Sequence, residues 1–102
     1  MKERQAEALR EAAAEFLARE ANRNNLITVT RAEVSTDAKR AVIYITVFPD
    51  SGEQAALAFA NRNRQAFAQF FLKRFKGMRA PHVEFVVDEG ERARRRLDEL
   101  SN

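Results

Sequence analysis

The sequence predicts an α+β fold of order α-β-β-α-α-β with a short C-terminal helix, its helices packed on a three-stranded sheet. Three observations predict it. An alanine-rich segment with helical apolar spacing opens the chain. Two β-branched runs follow, with a short turn between them. A phenylalanine-rich helical region then leads into a third strand. Helices and strands in that mix favour helices layered against one sheet face. With 102 residues, 45% apolar and 32% charged, the chain is expected to form one domain over 1–102 around a single core.

Residues 3–21 read as the first helix, because Ala6, Leu9, Ala13, Phe16 and Leu17 recur at helical spacing. Glu7, Glu11 and Glu15 interleave with Arg10 and Arg19 on the wet side. The run Asn22-Arg23-Asn24-Asn25 ends the helix, since asparagine competes for backbone hydrogen bonds. Leu26–Val34 is a strand, Ser35-Thr36-Asp37 a turn, and Arg40–Phe48 a second strand that pairs with the first as an antiparallel hairpin. Ile43, Ile45 and Val47 line one face of the second strand. Val42, Tyr44 and Phe48 line the other, a pattern that predicts cover on nearly both sides. Pro49 stops this strand. Ser51-Gly52-Glu53-Gln54 has the form of a capping box, with Ser51 as N-cap.

The helical region that follows places Ala56, Phe59, Ala60, Phe67, Phe70 and Phe71 on one stripe. On a straight helix Asn63 would point into its middle. Burying an unpartnered amide costs roughly 1–3 kcal/mol. A break within Asn61–Gln65 is therefore expected, with Asn61 and Asn63 making the kink between helices over about 52–61 and 64–76. Gly77 fits a C-cap. Pro81–Asp88 is the third strand, with Val83, Phe85 and Val87 on one face. Gly90 punctuates, and Arg92–Leu100 forms the last helix, with Leu97 and Leu100 as its apolar contacts.

Charge is unevenly placed. The chain carries 18 basic and 15 acidic residues, yet Asn61–Ala80 holds six cations and no acid. A concentrated positive field favours a polyanion partner. Arg62, Gln65, Gln69, Lys73 and Lys76 fall on one polar stripe opposite the apolar one. Cations and amides suit phosphate and sugar contacts, which position RNA without reading its sequence. Arg64 sits at the kink, beside the positive end of the next helix. Lys39 and Arg40, at the hairpin turn, are expected to flank the same surface, and Arg74, Arg79 and Arg23 to extend it. The six phenylalanines from Phe48 to Phe75 have core spacing, so they do not read as a base-stacking platform. Arg92, Arg94, Arg95 and Arg96 are expected to pair locally with neighbouring acids.

Other classes lose ground. Without cysteine, disulfide scaffolds, thiol catalysis and cysteine zinc sites are excluded, and a single histidine excludes a multi-histidine metal site. His82 has no nucleophile–base partner in the pattern, so no enzyme and no cofactor are expected. No apolar run reaches the roughly 18 residues of a membrane span, and the charged N-terminus is unlike a signal peptide. The expectation is a cytoplasmic monomer with no membrane partner.

The residues Ile27 to Phe48, ITVTRAEVSTDAKRAVIYITVF, resemble the strand–turn–strand of bacterial ribosome-binding factor A, where the family shows VTVTxVxVSxDLxxAxVYVSV. Thr28–Thr30, Val34, Ser35, Asp37, Ala41, Tyr44 and Val47 carry the match. A second block, Pro81–Asp88, is similar to the family's PxLxFxxD, and Leu97-Asp98-Glu99-Leu100 is similar to its terminal IDELL. The resemblance implies a type II K-homology (KH)-like fold. It implies a non-enzymatic factor that binds immature small ribosomal subunits through their rRNA and assists late maturation. The chain departs from the family where the first helix usually ends in DPRL. It departs again at Asn63-Arg64-Gln65, where a kinked Ala-x-Gly is usual. Asparagine would then make the kink, as the next most permissive residue for left-handed geometry. The missing glycine motivates a rival expectation, a KH-fold protein-interaction module that has lost RNA binding.

Overall fold

In the computed structural model, which describes residues 2–20 and 25–101, the chain opens with α1 (Lys2–Glu20). Ala8, Leu9, Ala12, Ala13, Phe16 and Leu17 form its buried stripe. The asparagine stop at 22–24 lies outside the described residues. β1 (Leu26–Val34) and β2 (Arg40–Phe48) keep the bounds the β-branched runs predict, and they pair antiparallel. β3 (His82–Val87) lies parallel to β2, so the sheet order is β1-β2-β3.

A β-bulge interrupts β1, where Val29 faces Ile45 and Arg31 already faces Tyr44. The extra residue is Thr30. It reverses the parity of the strand, so that Ile27 and Val29 before it and Ala32 and Val34 after it all pack on the helical side. The hairpin turn is closed by its side chains. Ser35 Oγ donates to Asp37 at 2.7 Å, the Lys39 amide donates to Asp37 at 3.1 Å and the Arg40 amide donates to Ser35 Oγ at 3.1 Å. Ala38 takes a left-handed conformation at φ 61° to complete it.

β2 is fully covered on one side and partly on the other, where Thr46 is buried, Val42 and Tyr44 are half-buried and Phe48 is exposed, so the expected near-complete cover fails only at the strand end. Ala41, Ile43, Ile45 and Val47 are buried under the helices. On the other face Tyr44 is half-buried in a polar network: Arg31 stacks on its ring at 3.8 Å and its hydroxyl donates to Glu33 at 2.8 Å. Phe48 is 56% exposed, so it does not belong to the core as the phenylalanine spacing implied. It sits at the last β2 position, opposite Leu26, and strand alternation turns it to the face away from the buried Val47.

The capping box is also corrected. Residues Asp50–Gly52 form a single 3-10 turn, and α2 (Glu53–Arg62) begins with Gly52 as N-cap and no side-chain cap. An added Cβ at Gly52 would lie 2.2 Å from the Asn25 amide oxygen, so a side chain there requires Asn25 to move. The predicted break is present: Asn63 separates α2 from α3 (Arg64–Arg74). No left-handed residue is needed, because Asn63 has φ −104° and ψ 23°. Its amide nitrogen donates to the Phe59 carbonyl at 2.8 Å. The Asn61 carboxamide reaches β3, accepting from the Phe85 N–H at 2.9 Å and donating to the Phe85 carbonyl at 3.0 Å.

α3 ends at Arg74, with Phe75 as C-cap, so Gly77 does not cap the helix as predicted. Gly77 instead serves the following turn, closed by the Met78 amide on the Phe75 carbonyl at 3.2 Å, at a φ of +91° that favours glycine. Phe67 and Phe71 are buried. Phe67 contacts the rings of Phe16 at 5.6 Å and Phe85 at 5.7 Å, joining α1, α3 and β3 in one core.

α4 (Glu89–Ser101) starts earlier than expected, with Gly90 inside its first turn, because Asp88 accepts the Glu91 amide at 3.0 Å and so caps it. Leu97 and Leu100 are 64% and 83% exposed, which corrects their assignment as apolar contacts. Guanidinium groups tie the helix down instead. Arg92 bridges Glu89 and Glu53, the latter at 2.7 Å. Arg96 reaches Asp50 at 2.7 Å, and Arg95 reaches both Asp50 and the Val47 carbonyl. Arg94 pairs locally with Glu91 at 3.0 Å, while Arg95 and Arg96 reach out of the helix to Asp50.

Asn61→Ala strips both partners from Phe85 and is expected to cost about 1–3 kcal/mol in urea unfolding. Asn63→Ala should cost less, since the Phe59 carbonyl still accepts the Asn63 backbone N–H. Asp88 is buried, and the Thr30 hydroxyl, followed by the Glu91 amide and Arg31, holds its carboxyl below the ordinary range. Its contribution is complete above the unfolded value of about 3.9 and fades as pH falls through the lower folded value. Wild type should therefore exceed Asp88→Asn in melting temperature at neutral pH, and the gap should close below about pH 4.

Candidate nucleic-acid interface

The break at Asn63 fixes where the cations go. Arg62 is the last residue of α2 and Arg64 the first of α3, both exposed on either side of the corner. Asn63 offers no side-chain cap to α3, so the first amides of that helix are left for water or an anion. Gln65, Gln69 and Lys73 follow at i, i+4 and i+8 and are exposed opposite the buried Phe67 and Phe71. The single stripe read from the sequence is thus shorter than expected. Arg62 belongs to the other helix, and Lys76 lies in the turn past the end of α3.

Asn61 and Asn63 form the corner, and both are half-buried with their amides bonded to protein. Lys39 and Arg40 are exposed, but they do not flank the corner. The His82 amide at the start of β3 donates to the Lys39 carbonyl at 2.8 Å, which sets the hairpin turn beside the loop that follows α3. Lys39 and Arg40 therefore stand with Lys76 and Arg79, at the opposite end of α3 from Arg62 and Arg64. An 11-residue helix separates the two groups by about 16 Å.

Arg74 leaves the surface set. It binds Glu15 at 3.2 Å, lies 3.9 Å from Glu11 and stacks on Phe75 at 4.6 Å, so it fastens α3 to α1. Arg23 lies outside the described residues. Sequence reading missed Arg4, which α1 brings into the groove beside Lys76 and Arg79. A separation of more than 70 positions leaves no signal in a linear pattern.

The remaining cations differ from the structural ones. Arg10, Arg31, Arg74, Arg92, Arg94, Arg95 and Arg96 all sit within 4 Å of a carboxylate. Among the described residues, no carboxylate pairs with Arg62, Arg64, Lys73 or Lys76. The surface they make is exposed, cationic, and free of competing acids in its own segment. Among the described residues there is no group of acidic or histidine side chains able to hold a metal ion, and no helix is long and apolar enough to cross a membrane.

The fold has counterparts. A Thermobifida fusca ribosome-binding factor A is 34% identical over 79 residues, covering 76% of this chain and 52% of that protein. The Saccharopolyspora erythraea protein of the same name is 34% identical over 76 residues, covering 74% and 46%. The chain thus spans about half the length of these relatives. The crystal structure of ribosome-binding factor A from Thermus thermophilus shares the fold with a TM-score of 0.74 at 24% identity, over 85% of this chain and 96% of that one. A homology model of the Thermus thermophilus factor, fitted into a cryo-EM map of its complex with the 30S subunit, gives a TM-score of 0.66 at 25% identity, over 78% and 86%. The model of the family described as ribosome-binding factor A matches residues 1–101. With the helix–hairpin–corner–strand order and the family match agreeing over nearly its whole length, this chain belongs to the ribosome-binding factor A family.

Proposed function

We propose that this chain is a ribosome-assembly factor that binds immature small ribosomal subunits through their rRNA and assists late maturation without catalysing a reaction. It works as a single KH-like unit, a cytoplasmic monomer that needs no cofactor. The observation that carries the reading is the division of cations: Arg62, Arg64, Lys73 and Lys76 face outward with no described carboxylate, on a helix corner fixed by Asn61 and Asn63. Arg62 and Arg64 flank the uncapped start of α3, so side-chain charge and helix dipole act on the same anion. Gln65 and Gln69 supply uncharged donors between them and Lys73. Such contacts position an RNA backbone and carry little sequence preference. The relative fitted into a 30S complex supports the small subunit as the partner. The glycine-free corner needs no left-handed residue, since Asn63 turns at negative φ, and the protein-interaction module stays the rival that salt-insensitive binding to a protein partner without rRNA affinity would favour.

Co-sedimentation with small subunits across a salt series tests the reading. Wild type is expected to bind with a log–log salt slope near −3 if about four phosphates are neutralised. Arg62→Glu/Arg64→Glu should abolish binding. No association with mature or immature subunits at low salt overturns the reading. Because both arginines are exposed and without described partners, the same double variant should change unfolding free energy by less than about 0.5 kcal/mol. A larger loss in urea unfolding would show that they hold the fold.

A further inference from the structure

The end of α3 away from the corner is a trough with two walls. One wall is the first turn of α1 together with the loop 75–79, and the other is the hairpin turn. One groove has a volume of about 480 Å³ and runs past Arg79 toward Lys39, where it adjoins a depression of about 490 Å³ beside Arg40 and His82. Five cations line this course: Arg4, Lys76, Arg79, Lys39 and Arg40. Glu84 lines its far end, and an adjoining depression that shares Arg4, Phe75 and Met78 with the groove adds Glu7 and Glu11, so the cations still outnumber the carboxylates along it.

The walls are fixed by backbone contacts that do not involve the cationic groups. Gln5 donates to the Arg79 carbonyl at 3.1 Å, and the His82 amide donates to the Lys39 carbonyl at 2.8 Å. The charged ends therefore remain available while their main chain is held. Gly77 presents open space on the wall, with nothing within 4 Å of where a Cβ would stand. The half-buried Phe75 and Met78 give the groove an apolar component. The C-terminal carbonyls of α3 oppose an anion here, but they amount to about half a charge, against five full ones.

We propose that this trough is a second RNA site. It takes the phosphodiester backbone of a single-stranded segment, with ribose and base against Phe75 and Met78, and is distinct from the site at the Arg62–Arg64 corner. The elongated course and the mixed cationic and apolar lining fit a strand better than a compact anion. The site rests on the reading that the chain works on RNA. It adds that the protein holds RNA at two places about one helix length apart.

The test uses a fluorescent single-stranded RNA oligonucleotide in anisotropy titrations over a salt series, with amide chemical shifts followed in parallel. Arg4→Glu/Arg79→Glu is expected to weaken binding at least tenfold, and to make the log–log slope shallower by about 1.4 for two lost phosphate contacts. In wild type, RNA should shift the amides of residues 38–40 and 76–79. Unchanged affinity and slope in that variant, with binding lost in Arg62→Glu/Arg64→Glu, overturns the second site and leaves the subunit function standing. Polyglutamate competing as well as RNA at equal charge also overturns it, in favour of an acidic protein. Oligonucleotide binding that depends on Arg4 and Arg79, in a protein that does not co-sediment with subunits, supports the site and removes the assembly function.

Discussion

The Asn61 carboxamide does at the edge of the sheet what another strand would do. β3 has β2 on one side only, and Phe85 would turn a bare N–H and C=O toward the helices on the other. Asn61 satisfies both, with one side chain held across 24 positions of sequence. An unmet pair of backbone groups in that half-buried place would cost as much as a sizeable share of a small domain's stability. The contact also pins the corner. Once the end of α2 is fixed to the middle of β3, α3 must leave in a direction that lays Phe67 against Phe85 and Phe16. The polar face of α3 is then turned outward. Core packing and surface charge thus share one anchor.

The arginines illustrate a division of labour that composition hides. Glu11 and Glu15 on α1 claim Arg74. Asp50, Glu53, Glu89 and Glu91 claim the arginines of α4. Asp50 is held below its ordinary range chiefly by the Arg96 hydrogen bond, so it stays charged at any physiological pH. Apart from the partly buried Arg92–Glu53 pair, those are surface pairs, individually worth at most about 1 kcal/mol. Their placement matters more than their strength: they hold α4 and the α1–α3 contact together, while Arg62, Arg64, Lys73 and Lys76 have no carboxylate partner among the described residues.

Most of the fold was legible in the sequence, and the unread parts have physical reasons. Strand bounds came through because β-branched runs and turn residues mark them locally. The corner came through because Asn63 violates the apolar stripe of a straight helix, a contradiction visible in the sequence itself. The bulge at Thr30 was missed, although the apolar positions change from odd at Ile27 and Val29 to even at Ala32 and Val34, which is its signature. Helix ends went astray at Ser51, Gly77 and Gly90, where residue type fitted a cap but tertiary contacts chose another. Asn25 crowds Gly52, Phe75 ends α3, and Asp88, already bonded to Thr30, caps α4. Of the candidate site, Arg62, Gln65, Gln69 and Lys73 could be read from a helical repeat and Arg64 from the kink. The grouping of Arg4 with Lys39 and Arg79 could not, because chain topology alone brings them together.

The network around Tyr44 has a practical side. The chain has no tryptophan and one tyrosine, so Tyr44 is its sole fluorophore of use. It lies on the sheet face away from the helices, under the Arg31 guanidinium and bonded to Glu33. Its emission is therefore tuned by a stacked cation and an anionic acceptor that exist only while β1 and β2 keep their bulged register. The molecule carries a built-in optical gauge of its hairpin, directed away from the α3 face and so blind to events there.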